Sequence, residues 1–146
     1  MSMLLRALAL AAVMSCGTAH ALTQQEACIA RAIYWEARGT SEAGQRAVAE
    51  VIWNRVNHTS FPKTPCAVVY QQRNGTCQFS WVCTHARNAT PRNSPAWQNA
   101  VRIARQPPGD LTNGALFFHA RRYRARWQHL EEVAQIDDHI FYAIRR

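Results

Sequence analysis

Two helical segments joined by only a few residues constrain this chain more than any other feature. The first, Thr23 to Arg38, opens with a capping box of Thr23 and Glu26, carries Ile29, Ile33 and Ala37 at four-residue spacing, and is stopped by Gly39. The second starts at a Ser41 cap and runs to about Val56, with Ala47, Val48, Val51, Ile52 and Val56 on its buried side. So short a connection makes the pair pack as neighbours. Asn57 to Pro65 reads as loop, Cys66 to Gln71 as one helical turn, and Arg73 to Asn93 as a long polar loop. Ser94 caps a third helix, with Pro95 at its first position and Trp97, Ala100, Val101 and Ala104 in one stripe. Pro107-Pro108-Gly109 ends it. The pattern then turns to β-prone runs, Ala115 to His119 and His139 to Ile144, as in a small two-stranded element. The expected fold class is α+β, mainly helical, built as a single domain over residues 22–146.

Residues 1–21 read as a secretory signal peptide: Arg6, an apolar run from Ala7 to Met14, then Ala19-His20-Ala21 as the cleavage pattern. The run is too short to span a bilayer, and no other stretch approaches the ~20 apolar residues that stable membrane insertion needs. The expected product is soluble and secreted, periplasmic or held in the cell envelope after cleavage near Ala21. Cys16 after Val13-Met14-Ser15 offers a lipoprotein alternative, which Met14 fits poorly. Downstream stand Cys28, Cys66, Cys77 and Cys83, an even set in a compartment that permits disulfides. Four cysteines allow three pairings. The short separation favours Cys77–Cys83, which leaves Cys28–Cys66. A zinc site on Cys77, Cys83 and His85 competes, but C-x5-C-x-H lacks the usual close cysteine pair, so no metal is expected.

The formal charge is +8, and every basic residue except Lys63 is arginine. That balance suits polyanions. An exported protein meets little nucleic acid, whereas peptide carboxylates and anionic envelope polymers are close at hand; a plain solvated surface is the competing account.

Nine carboxylates make the search for an acid catalyst short. Glu26 caps a helix, Glu42 and Glu50 fall on polar helix faces, Glu131 and Glu132 sit in a polar stretch, and Asp110 precedes a turn. Glu36 differs. It follows Tyr34 and Trp35 and lies on or beside the apolar face, where lost hydration disfavours its charged form and raises its pKa. A carboxyl group of that kind is what a glycosidase uses as general acid. The competing reading pairs Glu36 with Arg38 or another arginine. Asn54, in a helix otherwise apolar on that side, is expected to satisfy a buried polar network.

The run Ala32-Ile33-Tyr34-Trp35-Glu36-Ala37-Arg38-Gly39, followed by Gly44 to Val56, resembles the cell wall hydrolases of the SleB/CwlJ type, the spore cortex-lytic family. Phe61-Pro62, Cys66 to Gln71, Cys77-Gln78-Phe79-Ser80-Trp81, Ala96-Trp97, Gly114 to Ala120, Trp127 and His139-Ile140-Phe141-Tyr142 extend the likeness along nearly the whole segment after the leader. The resemblance implies a lysozyme-like domain related to lytic transglycosylases. It implies cleavage between N-acetylmuramic acid and N-acetylglucosamine with a 1,6-anhydro product, no cofactor, and Glu36 as the catalytic acid. It also implies that Gln78, Phe79 and Ser80 line the glycan cleft, with His119 and Tyr142 as further candidates. Phe79 and Tyr142 are equally suited to the core. One departure is recorded: Ile136-Asp137-Asp138 stands where the family has Ile-Gly, which would place a second carboxylate near the cleft or form a solvated turn. Two rivals remain open, an amidase that frees the stem peptide with histidines, with or without zinc, and a wall-binding module that holds glycan without cutting it.

Overall fold

The computed structural model describes residues 20–89, 91, 93–125 and 127–145, so the signal-peptide reading falls almost wholly outside the described residues. Helix α1, Gln24–Ala37, begins at Thr23, whose hydroxyl accepts from the Glu26 backbone while the Glu26 carboxylate accepts from the Thr23 N–H at 2.8 Å. Two of the orphan donors at the helix start are thereby satisfied. Helix α2, Glu42–Asn57, follows after the short junction from Arg38 to Ser41. Helix α3, Pro65–Val69, and helix α4, Pro95–Ala104, complete the helical layer, and α1 packs against all three of the others. Ile29, Ile33, Val48, Ile52, Val68 and Val69 close the main core.

Both expected disulfides are present, Cys28–Cys66 and Cys77–Cys83. The first ties α1 to α3. The second consumes the two thiolates that a zinc site would have required.

The sheets are richer than expected. A two-stranded hairpin pairs β1, Gln72–Arg73, with β2, Thr76–Cys77, inside what reads as a long loop. Its turn is Asn74-Gly75, with φ of 49° and 75°, and positive φ at both central residues is what a tight hairpin turn demands. The larger sheet has three strands rather than two: β3, Phe117–Ala120, β4, Leu130–Ile136, and β5, His139–Ile144, in the order β3-β5-β4, all antiparallel. Strand β4 escapes the sequence pattern because a bulge between Glu132 and Ala134 breaks the two-residue alternation of Leu130-Glu-Glu-Val-Ala-Gln-Ile136.

Helix α2 is enclosed on two sides. Val48 and Ile52 face the helical core, while Ala47 and Val51 meet Phe141 of β5 and Ala115. That corrects the reading of Glu50 as a residue on a polar face: it is 2% exposed. One carboxylate oxygen of Glu50 accepts from the Thr112 N–H at 3.0 Å; the Asn54 amide donates to the Thr112 hydroxyl and the Ala115 carbonyl; Arg55 Nε donates to the Leu116 carbonyl at 2.7 Å. Asn54 thus serves a buried network, as expected. Together these side chains clamp the segment that leads into β3 along the length of α2.

Asp137, in the two-residue turn between β4 and β5, holds the start of α2 from outside. Its carboxylate accepts from the Ser41 N–H at 3.0 Å and from the Ser41 hydroxyl at 2.7 Å. Gly44 permits this, because any Cβ there would collide with Asp137 and Thr40. An anion at a helix start also meets the positive end of the helix dipole. Asp137→Ala is expected to lower stability by about 1–2 kcal/mol in a denaturant titration. By chain entropy, opening Cys28–Cys66 (separation 38) with paired Ala substitutions should cost about 4 kcal/mol, and opening Cys77–Cys83 (separation 6) about 2 kcal/mol. Equal losses from the two would contradict the loop-closure account.

Candidate active site

Three parts of the fold converge on a cleft of about 650 Å³. The last turn of α1 and the junction after it supply Trp35, Glu36, Gly39 and Thr40. The disulfide-closed loop supplies Gln78, Phe79, Ser80 and Trp81. The sheet and its flanking turns supply Phe118, His119, Arg122, Tyr123, Asp138 and His139, and Arg55 of α2 reaches the same space.

Glu36 enters the cleft between aromatic neighbours. The rings of Trp35 and Trp81 stack with centroids 6.5 Å apart, and Tyr34 meets Trp35 edge-on at 5.0 Å. Burial raises the Glu36 carboxyl from the ordinary 4.5 to about 7, opposed by the positive charge of Arg55. Arg38 does not pair with it: the Arg38 guanidinium lies over the rings of Tyr34 and Trp35, at 4.7 and 5.0 Å. Among the described residues Glu36 makes no ion pair. Its proton is therefore held by its surroundings alone and is free to be given away.

Arg55 is the residue that reading the sequence misses. It is 4% exposed and surrounded by Phe61, Phe79 and Phe117, each ring centroid within 5.6 Å of its guanidinium. Burial lowers its pKa to about 10, with Arg73 adding to the fall and Glu36 resisting it. It stays a cation at neutral pH. The signal lay in the motif itself, an arginine next to Asn54 near the end of a helix enclosed on two sides.

The remaining candidates separate. Ser80 is exposed and Gln78 partly so, both at the cleft, whereas Phe79 is 2% exposed and underlies it as core, tilted against Phe118. His119 lines the cleft; Tyr142 does not. Tyr142 stands beside His119 on the sheet face opposite Phe141, ring on ring with centroids 5.3 Å apart. With His119 Nδ1–H donating to the Ala120 carbonyl at 2.8 Å, Nε2 is left to accept from the Tyr142 hydroxyl at 3.0 Å. Trp127 meets both rings edge-on. Of the acidic pair, Asp137 is engaged with Ser41 and Asp138 is on the cleft wall. His139, also on the wall, is held below its usual pKa, chiefly by burial.

A profile of the cell wall hydrolase family matches residues 39–142. A spore cortex-lytic enzyme of Bacillus cereus is 32% identical over 114 residues, which is 77% of this chain and 42% of that protein, so the chain spans less than half its length. The crystal structure of the catalytic domain of the Bacillus cereus SleB protein superposes with a TM-score of 0.64 at 29% identity, over 84% of this chain and 93% of that one. The catalytic domain of a germination-specific lytic transglycosylase, SleB from Bacillus anthracis, gives 0.64 at 31% identity, over 83% and 96%. The architecture is thus that of these catalytic domains, helical with small sheets. Glu36 falls just before the span that the family profile matches, and its environment has a thermodynamic signature of its own. The unfolded chain releases the Glu36 proton near 4.5 and the folded chain near 7, so stability falls as pH rises between those values. Glu36→Gln should therefore melt above the wild type at pH 8, by an amount on the order of 3 kcal/mol, and close to it at pH 4. An offset independent of pH would contradict the raised pKa.

Proposed function

Since the chain belongs to the cell wall hydrolase family, we propose that it cleaves the glycan strand of peptidoglycan between N-acetylmuramic acid and N-acetylglucosamine, as a lytic transglycosylase that leaves 1,6-anhydro-muramic ends. The observation that carries this reading is one carboxyl group, Glu36, protonated near neutral pH on the wall of a cleft large enough for sugar rings. In the first half of the reaction Glu36 gives its proton to the glycosidic oxygen as the bond to the muramic C1 breaks and positive charge grows on the ring. In the second half the Glu36 carboxylate takes the proton of the muramic 6-hydroxyl as that oxygen bonds to C1. The departing sugar keeps the first proton, the enzyme recovers the second, and no water is consumed. A single carboxyl suffices, and the proton transfer calls on no metal or organic cofactor.

Burial favours the acid form of Glu36 and the Arg55 cation favours its anion, so a value near 7 keeps both halves accessible. Gln78 and Ser80 offer amide and hydroxyl groups to the sugar hydroxyls and acetamides, and His119 borders the cleft beside them. Trp35 and Trp81 present ring surface for the apolar faces of sugars. Phe79 supports the loop from below, and Tyr142 holds the His119 ring through Nε2, the Ala120 carbonyl setting its tautomer.

The substrate is the glycan strand, not nucleic acid. No helix among the described residues is long and apolar enough to cross a membrane. Two disulfides fit an oxidising compartment, and the chain acts in the periplasm or envelope after its leader is cut near Ala21.

Mass spectrometry of the soluble products released from purified peptidoglycan tests the reading. Wild type should yield muropeptides ending in 1,6-anhydro-muramic acid, and Glu36→Gln should yield at least a hundredfold less, roughly the contribution of a general acid. Reducing ends would mean hydrolysis, with Asp138 the carboxylate placed to activate water. Free stem peptides, or full activity in Glu36→Gln, would overturn the assignment in favour of an amidase; binding without any product would leave a wall-binding module.

A further inference from the structure

The loop after β3, from Arg121 to Arg124, carries three arginines and a tyrosine, of which Arg122 and Tyr123 line the cleft. The arginines are not equivalent. Arg121 is already used: its guanidinium meets the Gln135 side chain, whose oxygen accepts two hydrogen bonds at 3.0 and 2.8 Å when the amide is turned to face it. Arg122 lines the cleft itself, stacked over the Tyr123 ring at 5.0 Å, and Tyr123 is 59% exposed beside it. Arg122 and Arg124 have no carboxylate partner among the described residues, where the ion pairs are His20–Glu26 and Arg102–Glu42.

An exposed aromatic ring with a guanidinium laid across it is a held cation. The stacking limits the side chain's rotamers, so less freedom remains to be lost when an anion docks. Opposite charge is scarce on this side of the cleft. Glu36 is only partly ionised near pH 7, Asp137 is engaged by Ser41, and Asp138 is the other carboxylate of the wall. The sugars of a glycan strand have no free acid for these cations to meet, since the muramic carboxyl is joined to the stem peptide. The carboxylates belong to the peptides. A strand seated with its scissile bond at Glu36 carries a stem peptide within reach of the cleft's edge.

We propose that Arg122, backed by Tyr123 and assisted by Arg124, is a binding site for the free carboxylates of the stem peptide, so that the cleft selects peptide-bearing strands over bare ones. This rests on the glycan-strand reading of the cleft and adds a second recognition element to it. Arg122 bonds the carboxylate in a bidentate manner, and Asp138 on the same wall meets the amine of an uncrosslinked stem.

Binding separates this from catalysis. The probes are uncrosslinked glycan chains carrying stem peptides and the same chains stripped of peptide by an amidase, with the muramic carboxyls so freed capped as methylamides, titrated calorimetrically against the Glu36→Gln protein. The peptide-bearing chains should bind roughly fivefold more tightly, the scale of a partly exposed charge pair. Adding Arg122→Gln and Arg124→Gln should bring the ratio of the two dissociation constants close to one, and raising the salt from about 0.05 to 0.5 M should do the same. Arg122→Lys should keep part of the preference, which a merely structural arginine would not show. A ratio near one in the parent protein, or one that survives loss of both arginines, overturns the proposal. Cleavage is scored separately by chromatography of the chains recovered after each titration, so failure of the transglycosylase reading and failure of this one are told apart.

Discussion

The fold depends on one buried polar edge. Glu50, Asn54 and Arg55 lie on neighbouring turns of α2, and each bonds a backbone group or side chain of the segment from Thr112 to Leu116. Apolar contact alone would let that segment slide along the helix, because packing of Ala and Val against Phe is nearly indifferent to small shifts. Hydrogen bonds at fixed positions are not. They set the register in which β3 enters the sheet, and with it the height at which Phe118 and His119 face the end of α1. The cost of burying Glu50 and Arg55 is offset only in part by these partners, since one Glu50 carboxylate oxygen and one Arg55 terminal nitrogen are buried without a partner, and breaking any of the bonds would leave a further desolvated polar group behind.

The same edge joins structure to chemistry through Arg55. Its Nε is spent on the Leu116 carbonyl, and its charge is felt at Glu36. One side chain therefore positions the strand wall and moderates the acid opposite it. Hydrophobic surroundings alone would push Glu36 further toward its neutral form and leave it a reluctant base; a cation in the same pocket restrains that shift. The aromatic rings around both groups keep water away and make each charge count for more.

Much of this was legible in the residues. The caps at Thr23, Ser41 and Ser94, the helix spacings and the close Cys77–Cys83 pair follow from local chemistry, which does not depend on what the segment packs against; Cys28–Cys66 follows by elimination, and Glu36 is a candidate through its apolar neighbours and the family motif. What escaped was set by tertiary contact or by irregularity. Strand β4 was hidden by its bulge, which inverts the side-chain alternation halfway along. Glu50 looked exposed because α2 was read with one buried side, and only the sheet, itself half-seen, gives it a second. The Asn74-Gly75 turn was a readable hairpin signal, masked by strands of two residues each. Tyr142 matched a family motif, yet no motif says which face of a strand a residue takes, and the pairing of β5 turns it toward His119 rather than the cleft.

The bond between Asp137 and Ser41 has a wider reach than the start of one helix. Gly39 and Thr40 on one side of it, and Asp138 and His139 on the other, all border the cleft. A carboxylate joined to both the amide and the hydroxyl of Ser41 thus fastens the helical jaw to the sheet jaw. The width of the cleft leans on a clasp at its hinge that belongs to none of the side chains lining it, and loosening that clasp would slacken both jaws at once.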